Sequence, residues 1–206
     1  MSKVRCKIMA ICALFAAAGL STSQEAKAEP HLHDGFYLQL ATGVGYYNSS
    51  AEAGANKVGF SGATLPFSLM LGGSPIPGLA IGGSLMIDYA PSPRYKINGQ
   101  TFDSGLDISQ YVIGLGPSVD FYPDPSGGLH FQGFVGWGGL ETSADGNAGG
   151  SDPTGLLLAV GAGYDFWVGN EWSIGGLGRL TYAPLSMNDV TYSTIEPALL
   201  ATFTYH

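Results

Sequence analysis

Residues 36–47 read FYLQLATGVGYY, and their alternation decides the fold class. Every second residue from Phe36 to Tyr46 is apolar or threonine, whereas most of the residues between them are small or polar. A period of two is that of a β-strand, because successive side chains of a strand point to opposite faces. The stretch therefore predicts a strand with one apolar face, called greasy below, and one face of small or polar residues.

The same alternation recurs seven times along the chain. The further greasy faces run from Ala63 to Leu71, Leu79 to Tyr89, Tyr111 to Phe121, Leu129 to Trp137, Leu156 to Phe166, Trp172 to Tyr182 and Ile195 to Tyr205. Pro117 and Pro197 fall inside these strands, where proline removes a ladder hydrogen bond and is expected only at edges or bulges.

The connections between the predicted strands alternate in length. The short ones are Gly72–Gly78, Tyr122–Gly128 and Gly169–Glu171, and the long ones are Asn48–Gly59, Ala90–Asp107, Glu141–Thr154 and Ala183–Thr191. Eight strands joined in this way predict an all-β, eight-stranded antiparallel up-and-down barrel, with its short turns at one end and its long loops at the other.

The N-terminus has the organisation of a secretory signal peptide. Lys3, Arg5 and Lys7 precede an uncharged apolar run at 8–20, and Ala26-Lys27-Ala28 forms a cleavage site for small residues. The alternative is a membrane anchor, but this run is short for a helix that crosses about 30 Å of hydrocarbon. We therefore expect residues 1–28 to be removed on export and residues 29–206 to form the barrel.

Cleavage makes the mature chain strongly acidic. It removes four of the eight basic residues and one of the sixteen acidic ones, which leaves four basic and fifteen acidic residues and a net charge of −11. That sign disfavours nucleic acid, whose phosphates need Lys and Arg. Charged residues are only 12% of the chain, yet no mature segment has 18 consecutive apolar residues. A closed barrel is the remaining way to satisfy the backbone in lipid.

Aromatic residues cluster at the ends of the greasy faces, as expected where amphipathic rings meet lipid headgroups. One predicted girdle holds Phe36, Phe121, Phe166, Trp172, Phe203 and Tyr205, and the other holds Tyr46, Tyr89, Tyr111, Trp137 and Tyr182.

With these features, the sequence resembles the small outer-membrane barrels of the OmpA and OmpX type from Gly35 to His206. The last strand, Ile195 to Tyr205, is the most specific piece, although His206 follows the terminal aromatic residue. The resemblance implies a monomer in the outer membrane of a Gram-negative bacterium. It also implies contact with the assembly machinery, with outer-membrane lipids including lipopolysaccharide, and with an external partner that it does not identify.

A few charged residues fall on the predicted inward faces, and we interpret them as a lumen network. They are Asp88, Asp120, Asp165, Arg179 and Glu196, with His130 beside them. Because buried charges need partners, these residues are expected to form ion pairs that seal the lumen. The predicted register pairs Phe121 with Leu129 and Tyr182 with Ser193, which sets Asp120 opposite His130 and Arg179 opposite Glu196.

No catalytic, cofactor-binding or metal site is predicted. The mature histidines are His31, His33, His130 and His206, and no serine alternates with His130 on its face. His31 and His33 are interpreted as part of a mobile tail. Lys57, Arg94 and Lys96 are expected in outer loops, where they could contact anionic lipid phosphates.

We therefore predict a structural or surface-interaction role for the barrel. The alternatives are a narrow passive pore, a lipid-modifying barrel enzyme and a soluble ligand binder of lipocalin type. A lipocalin would turn its apolar faces inward around a ligand and would carry many charges outside.

Overall fold

The computed structural model describes residues 31–53, 56–98, 100–102, 108–144, 147–148, 153–187 and 190–206. The predicted signal peptide lies outside these residues. In the described part of the chain, no helix is long and apolar enough to cross a bilayer. The strands are β1 Gly35–Ala53, β2 Asn56–Ile76, β3 Leu79–Pro91, β4 Arg94–Ile97, β5 Gln100–Phe102, β6 Ile108–Phe121, β7 Leu129–Ala144, β8 Asn147–Ala148, β9 Thr154–Trp167, β10 Trp172–Met187 and β11 Val190–Tyr205.

Eight long strands close into an antiparallel barrel. Its order is β1, β2, β3, β6, β7, β9, β10 and β11, each paired with the next, and β1 also pairs with β11. This closure leaves the barrel without a free edge, so every strand has a neighbour on both sides. The predicted eight-stranded up-and-down fold is confirmed.

The predicted inside and outside faces are also confirmed. Phe36 is 56% exposed and Tyr37 is fully buried, while Leu199 is 71% exposed and Leu200 only 4%. The outward set of β1 runs from Phe36 to Tyr46. Ten steps of about 3.3 Å, tilted by about 40°, give an apolar band about 25 Å tall, the height expected for a bilayer-spanning barrel.

Aromatic side chains meet at both ends of this band. At the short-turn end, Trp172 stacks on Phe203 with ring centroids 4.5 Å apart. At the long-loop end, Tyr89 stacks on Tyr111 at 4.7 Å. These contacts lie where the two girdles were predicted.

The predicted long loops are wrong in extent, because the strands continue through much of them. β1 runs to Ala53 and β2 begins at Asn56, inside the predicted loop Asn48–Gly59, and β10 and β11 fill most of Ala183–Thr191. Between β3 and β6, β4 and β5 form a hairpin that pairs with β2. Beyond the apolar band the outward face no longer meets lipid and can be polar, so the apolar–polar alternation of the sequence is lost. Backbone pairing continues there, and inward residues such as Ser49, Ala183 and Leu185 remain buried.

The short connections are close to those predicted. Tyr122–Gly128 lies between β6 and β7 as expected, but β2 extends through Ile76 with an irregular register after Gly73, which shortens the first turn to Pro77 and Gly78. Gly78 has a φ of 82°, which favours glycine.

Pro117 and Pro197 each interrupt one ladder and leave the other intact. Pro117 pairs with Gly83 of β3, whereas the β6–β7 ladder is broken beside it without a change of register. Pro197 likewise pairs with Leu180 of β10 and interrupts the ladder with β1. Because a residue's single N–H points to only one neighbouring strand, proline costs the barrel one hydrogen bond there and no bulge is needed.

Candidate functional site

The lumen contains two buried polar clusters, and the turn-side cluster is built around Asp120. The Tyr37 hydroxyl donates to Asp120 Oδ2 at 2.6 Å and Gln132 Nε2 donates to the same oxygen at 2.7 Å. His130 Nδ1 lies 2.9 Å from Asp120 Oδ1. Gln132 Nε2 also donates to Gln39 Oε1 at 2.6 Å, so β1, β6 and β7 are joined across the lumen.

Asp165 forms the second acidic centre of the turn-side cluster. It accepts hydrogen bonds from Thr202 Oγ1 at 2.7 Å and from the Tyr122 hydroxyl at 3.0 Å. His130 lies between the two acids, since its Nε2 atom is 3.8 Å from Asp165 Oδ1. These side chains are buried, apart from the half-buried Gln132, so the cluster places polar groups that bond to one another inside the barrel.

The loop-side cluster is centred on Arg179. Its Nη2 atom lies 2.5 Å from Asp88 Oδ1, and both side chains are buried. Glu196 lies near both residues and accepts a hydrogen bond from Thr64 Oγ1 at 2.6 Å. The structure therefore brings one guanidinium and two carboxyl groups together inside the barrel.

Both registers predicted for these hairpins are wrong by two residues. Phe121 pairs with Phe131, not Leu129, and Tyr182 pairs with Ile195, not Ser193. As a result, Asp120 faces Gln132 and reaches His130 from a neighbouring position. A shift of two residues keeps every side chain on its face, so the alternation of the sequence cannot distinguish the two registers.

Because the register differs, Glu196 is not the cross-strand partner of Arg179 that the sequence predicts. Arg179 faces Ala198 across the β10–β11 ladder, while Glu196 faces Thr181. Arg179 instead forms an ion pair with Asp88, which projects from β3 on another part of the wall.

An apolar cluster on the loop side of the lumen was missed by the sequence analysis. It consists of Met86, Val112, Phe134, Leu140, Leu157, Ala159, Ala183 and Leu185. Consecutive apolar residues, such as Leu156, Leu157 and Leu158, are the signal that could have revealed it, since such a run is apolar on both faces of its strand. Between the two polar clusters lies a cavity of about 30 Å³, lined among others by Gln39, Gln132 and Arg179. A cavity of this size can hold water.

The chain just before β1 closes the turn-side end of the barrel, and we call residues 31–34 the N-terminal cap. The His31 amide donates to the Asn170 carbonyl, the His33 amide to the Pro125 carbonyl, and the Gly78 amide to the His33 carbonyl, at 2.8 to 2.9 Å. The cap thus bonds to all three short turns. The interpretation of this segment as a mobile tail is wrong.

His33 is the buried centre of the cap, with 1% of its surface exposed. Its ring stacks on Tyr122 at 3.5 Å between centroids and on Trp167 at 4.6 Å. Its Nε2 atom bonds to the Gly127 carbonyl at 2.8 Å, and its Nδ1 atom lies 3.0 Å from Nδ1 of His206. No sequence signal pointed to this contact, because it joins residues 173 positions apart.

Burial governs the titration of both cap histidines. Desolvation lowers the pKa of His33, although the Gly127 carbonyl and the charges of Asp165 and Asp120 oppose the shift. Desolvation also lowers the pKa of His206, to about 2, and the neighbouring His33 and His130 act in the same direction. Both rings are therefore neutral at physiological pH.

Each of the two innermost histidines contacts buried polar side chains, and the Ser173 hydroxyl lies 3.1 Å from Nε2 of His206. His130 contacts Asp120 and stacks on Tyr122, and it lies fully buried behind the cap. The described residues hold no group of three or more His, Cys, Asp or Glu side chains arranged to bind a metal ion.

A third feature lies on the outer part of β2 and β4, and we call it the basic face. Lys96 pairs with Gly59 and Arg94 with Ser61, so both cations share one face of the ladder. Lys57 is two residues from Gly59 and lies on the same face. Lys57 and Arg94 are exposed and Lys96 is half-buried. Glu52 is the cross-strand partner of Lys57 on β1.

Fold and exposed apolar band together define a small eight-stranded transmembrane β-barrel of the outer-membrane type. Among solved structures, the chain is similar to the outer membrane protein OprG from Pseudomonas aeruginosa, with a TM-score of 0.55 and 13% identity over 86% of this chain and 100% of that one. It is also similar to Neisserial surface protein A, with a TM-score of 0.49 and 20% identity over 82% and 96% of the two chains.

No protein-family model matches the chain, and neither does any curated protein. The likeness to OprG therefore bears on the fold alone. The lipocalin alternative does not fit this fold, because its apolar faces would have to point inward, whereas here Val44, Val160 and Leu199 are more than 60% exposed.

Proposed function

We propose that this protein is a monomeric, integral outer-membrane barrel with a structural or surface-interaction role, inserted by the outer-membrane assembly machinery. The observation that carries the proposal is the closed lumen. Two clusters of bonded polar side chains and one apolar cluster fill the barrel, and the cavity between them is about 30 Å³. A lumen of this kind favours neither a pore nor a buried active site.

Conductance in a planar bilayer tests the closed lumen. We expect the folded protein to insert without producing discrete current steps. A matched variant, Gln39→Ala combined with Gln132→Ala and Arg179→Ala, removes side chains from both walls of the cavity and is the positive control for a loosened lumen. Reproducible current steps from the parent protein would favour the narrow pore instead.

Accessibility on intact cells tests the location and topology. Ser186 lies near the loop-side tip of β10 and Ser126 in a short turn, and both are exposed. We expect Ser186→Cys to react with an impermeant maleimide on intact cells and Ser126→Cys to react only after the outer membrane is opened. The parent protein serves as the blank. The opposite labelling pattern would contradict the topology.

The basic face suggests the chemistry of one external contact. Lys57, Arg94 and Lys96 are three of the four basic residues between positions 29 and 206 of a chain that is otherwise acidic. In the β2–β4 ladder, the residues that face Arg94 and Lys96 are Ser61 and Gly59, neither of which carries a charge. We propose that this face binds phosphate groups of lipopolysaccharide.

The height of the basic face supports this assignment. Ala63 pairs with Tyr46, a residue of the predicted loop-side girdle, and Ser61 lies two residues farther along β2. At about 3.3 Å per residue and a tilt of about 40°, Arg94 lies about 5 Å and Lys96 about 10 Å beyond the level of the girdle. Lipid phosphates lie just outside such aromatic girdles.

Vesicles containing phosphorylated or dephosphorylated lipid A provide the test. We expect phosphorylated lipid A to raise the unfolding midpoint of the parent protein, and salt to reduce the effect because it screens exposed charges. Lys57→Gln combined with Arg94→Gln and Lys96→Gln should abolish the difference between the two lipids, whereas Arg94→Lys should retain it. Equal response of the triple variant and the parent would contradict the assignment.

A further inference from the structure

The N-terminal cap joins otherwise separate parts of the barrel. Its backbone bonds to the three short turns, and His33 is sandwiched between Tyr122 and Trp167. The Gly78 amide, which donates to the His33 carbonyl, belongs to a turn whose own carbonyl accepts from Tyr122 at 2.7 Å. The imidazole ring of His33 therefore lies at the centre of the contacts that hold the cap against the turns.

The hydrogen bonds of His33 are satisfied by a neutral ring. Nε2 lies 2.8 Å from the Gly127 carbonyl, which only accepts, so Nε2 carries a proton. Nδ1 of the neutral ring is an acceptor for the His206 ring, whose Nδ1 and Nε2 atoms lie 3.0 and 3.1 Å away. The Ser173 hydroxyl, 3.1 Å from Nε2 of His206, can partner that nitrogen as donor or acceptor.

A second proton on His33 turns Nδ1 into a donor, and His206 then keeps the bond only by changing tautomer so that it accepts. One positive charge is thereby placed in the buried site, which is costly. A proton on both rings would place two positive charges about 3 Å apart in a buried site, which is costly at low effective dielectric.

The surrounding charges oppose this effect only in part. Asp165 and Asp120 favour a charged His33, and Asp124 in the second short turn interacts with it. His130 and His206 disfavour it, and the other titratable group against the ring is the Tyr122 hydroxyl. His206 additionally lies 5.5 Å from the Tyr37 ring. Burial is the largest of these effects, and it lowers the pKa of His33.

We propose that the N-terminal cap is a pH-sensitive latch on the turn-side mouth of the barrel, held closed by the neutral His33–His206 pair and released when these rings are protonated. The latch needs only the fold and does not depend on the role proposed above for the lumen or the basic face.

The direction of the pH dependence follows from linkage. An unlatched, solvated histidine has a pKa of about 6.5, and the latched rings have lower values. The closed state is therefore fully favoured above about pH 6.5. As the pH falls below that value, the equilibrium constant for closing the latch decreases by up to about tenfold per pH unit for each histidine.

Trp167 reports the state of the latch, because its ring contacts both histidines, at 4.6 Å from His33 and 5.0 Å from His206. The chain has three tryptophans, so Trp137→Phe with Trp172→Phe leaves Trp167 as the only one. In this background we expect the emission of Trp167 to change reversibly between pH 8 and pH 5, with a midpoint below 6.5. Far-ultraviolet circular dichroism should stay constant, which separates opening of the latch from unfolding of the barrel.

Two variants decide whether His33 is responsible. His33→Asn should give the released emission at every pH, whereas His31→Asn changes an exposed histidine in the same segment and should keep the transition. Amide exchange is the second measurement, since the Gly78 amide donates to the cap and should exchange faster relative to barrel amides at pH 5 than at pH 8. A parent spectrum and exchange pattern that do not change with pH, or a transition that persists in His33→Asn, would overturn the latch.

Discussion

Arg179 and Asp88 show how single buried residues depend on the closed barrel. They are 91 positions apart, and Nη2 of the arginine lies 2.5 Å from the carboxylate. Neither charge would be stable alone in this position, because a buried charge is costly without a partner. The pair thus ties β10 to β3 through the lumen, in addition to the backbone ladders of the wall.

We predict that Arg179→Met lowers the free energy of unfolding by about 3–5 kcal/mol, because it leaves Asp88 buried without its partner. Arg179→Met combined with Asp88→Leu should cost much less. The comparison variant is Arg179→Met combined with Glu196→Leu, which should not restore stability. Urea unfolding in lipid vesicles measures all three. Rescue by Glu196→Leu in place of Asp88→Leu would show that Glu196 is the dominant partner.

At the scale of strands, curvature of the wall depends on glycines that face the lumen. Gly72 and Gly82 are cross-strand partners on β2 and β3. A Cβ atom at position 82 would lie 2.1 Å from the carbonyl oxygen of Leu71, whereas one at position 83 would meet nothing within 4 Å. A side chain is therefore excluded at position 82 and has free space at position 83, since Gly82 faces the concave side of the sheet and Gly83 the convex side.

This pair of glycines provides a matched prediction. Gly82→Ala should destabilise the barrel by at least about 1–3 kcal/mol, the usual cost of overpacking, because backbone must move to make room. Gly83→Ala should be neutral or stabilising by up to about 1 kcal/mol, because alanine restricts the unfolded chain. Unfolding midpoints of the two variants in the same lipid measure the difference. Similar losses at both positions would mean that curvature is not the cause.

At the scale of the whole molecule, the apolar outer surface of the barrel determines the environment in which the protein can fold. The outward faces expose large apolar residues all around the barrel, and the polar clusters lie inside. This is the reverse of a soluble domain, and it makes folding depend on lipid or detergent. The cost in stability of a charged substitution on the outer surface should therefore depend on its depth in the bilayer.

We predict that Leu199→Arg lowers the free energy of unfolding in lipid by about 2–4 kcal/mol, because it places a charge near the middle of the apolar band. The matched control is Ser186→Arg, an exposed position on the neighbouring strand near its loop-side tip, which should cost about 0–1 kcal/mol. Equilibrium unfolding in vesicles tests both. A negligible effect of Leu199→Arg would contradict the assignment of this face to lipid.

The sequence by itself determined the eight strands of the barrel wall, the order of short and long connections, and the face of the wall on which each side chain lies. These follow from local rules, because alternation with a period of two survives any register and needs no knowledge of the partner strand. Phe36 and Tyr37 could thus be assigned to opposite faces before any pairing was known.

Only the tertiary structure decided the registers, the ion pair of Arg179 with Asp88 and the contact of His33 with His206. A register shifted by two residues satisfies the same alternation, so pattern alone cannot choose between Ser193 and Ile195 as the partner of Tyr182. Contacts across the lumen depend on closure of the whole wall, which brings residues from non-adjacent strands together. The cap depends further on where three turns and the end of β11 meet, and no local feature of residues 31–34 encodes that meeting point.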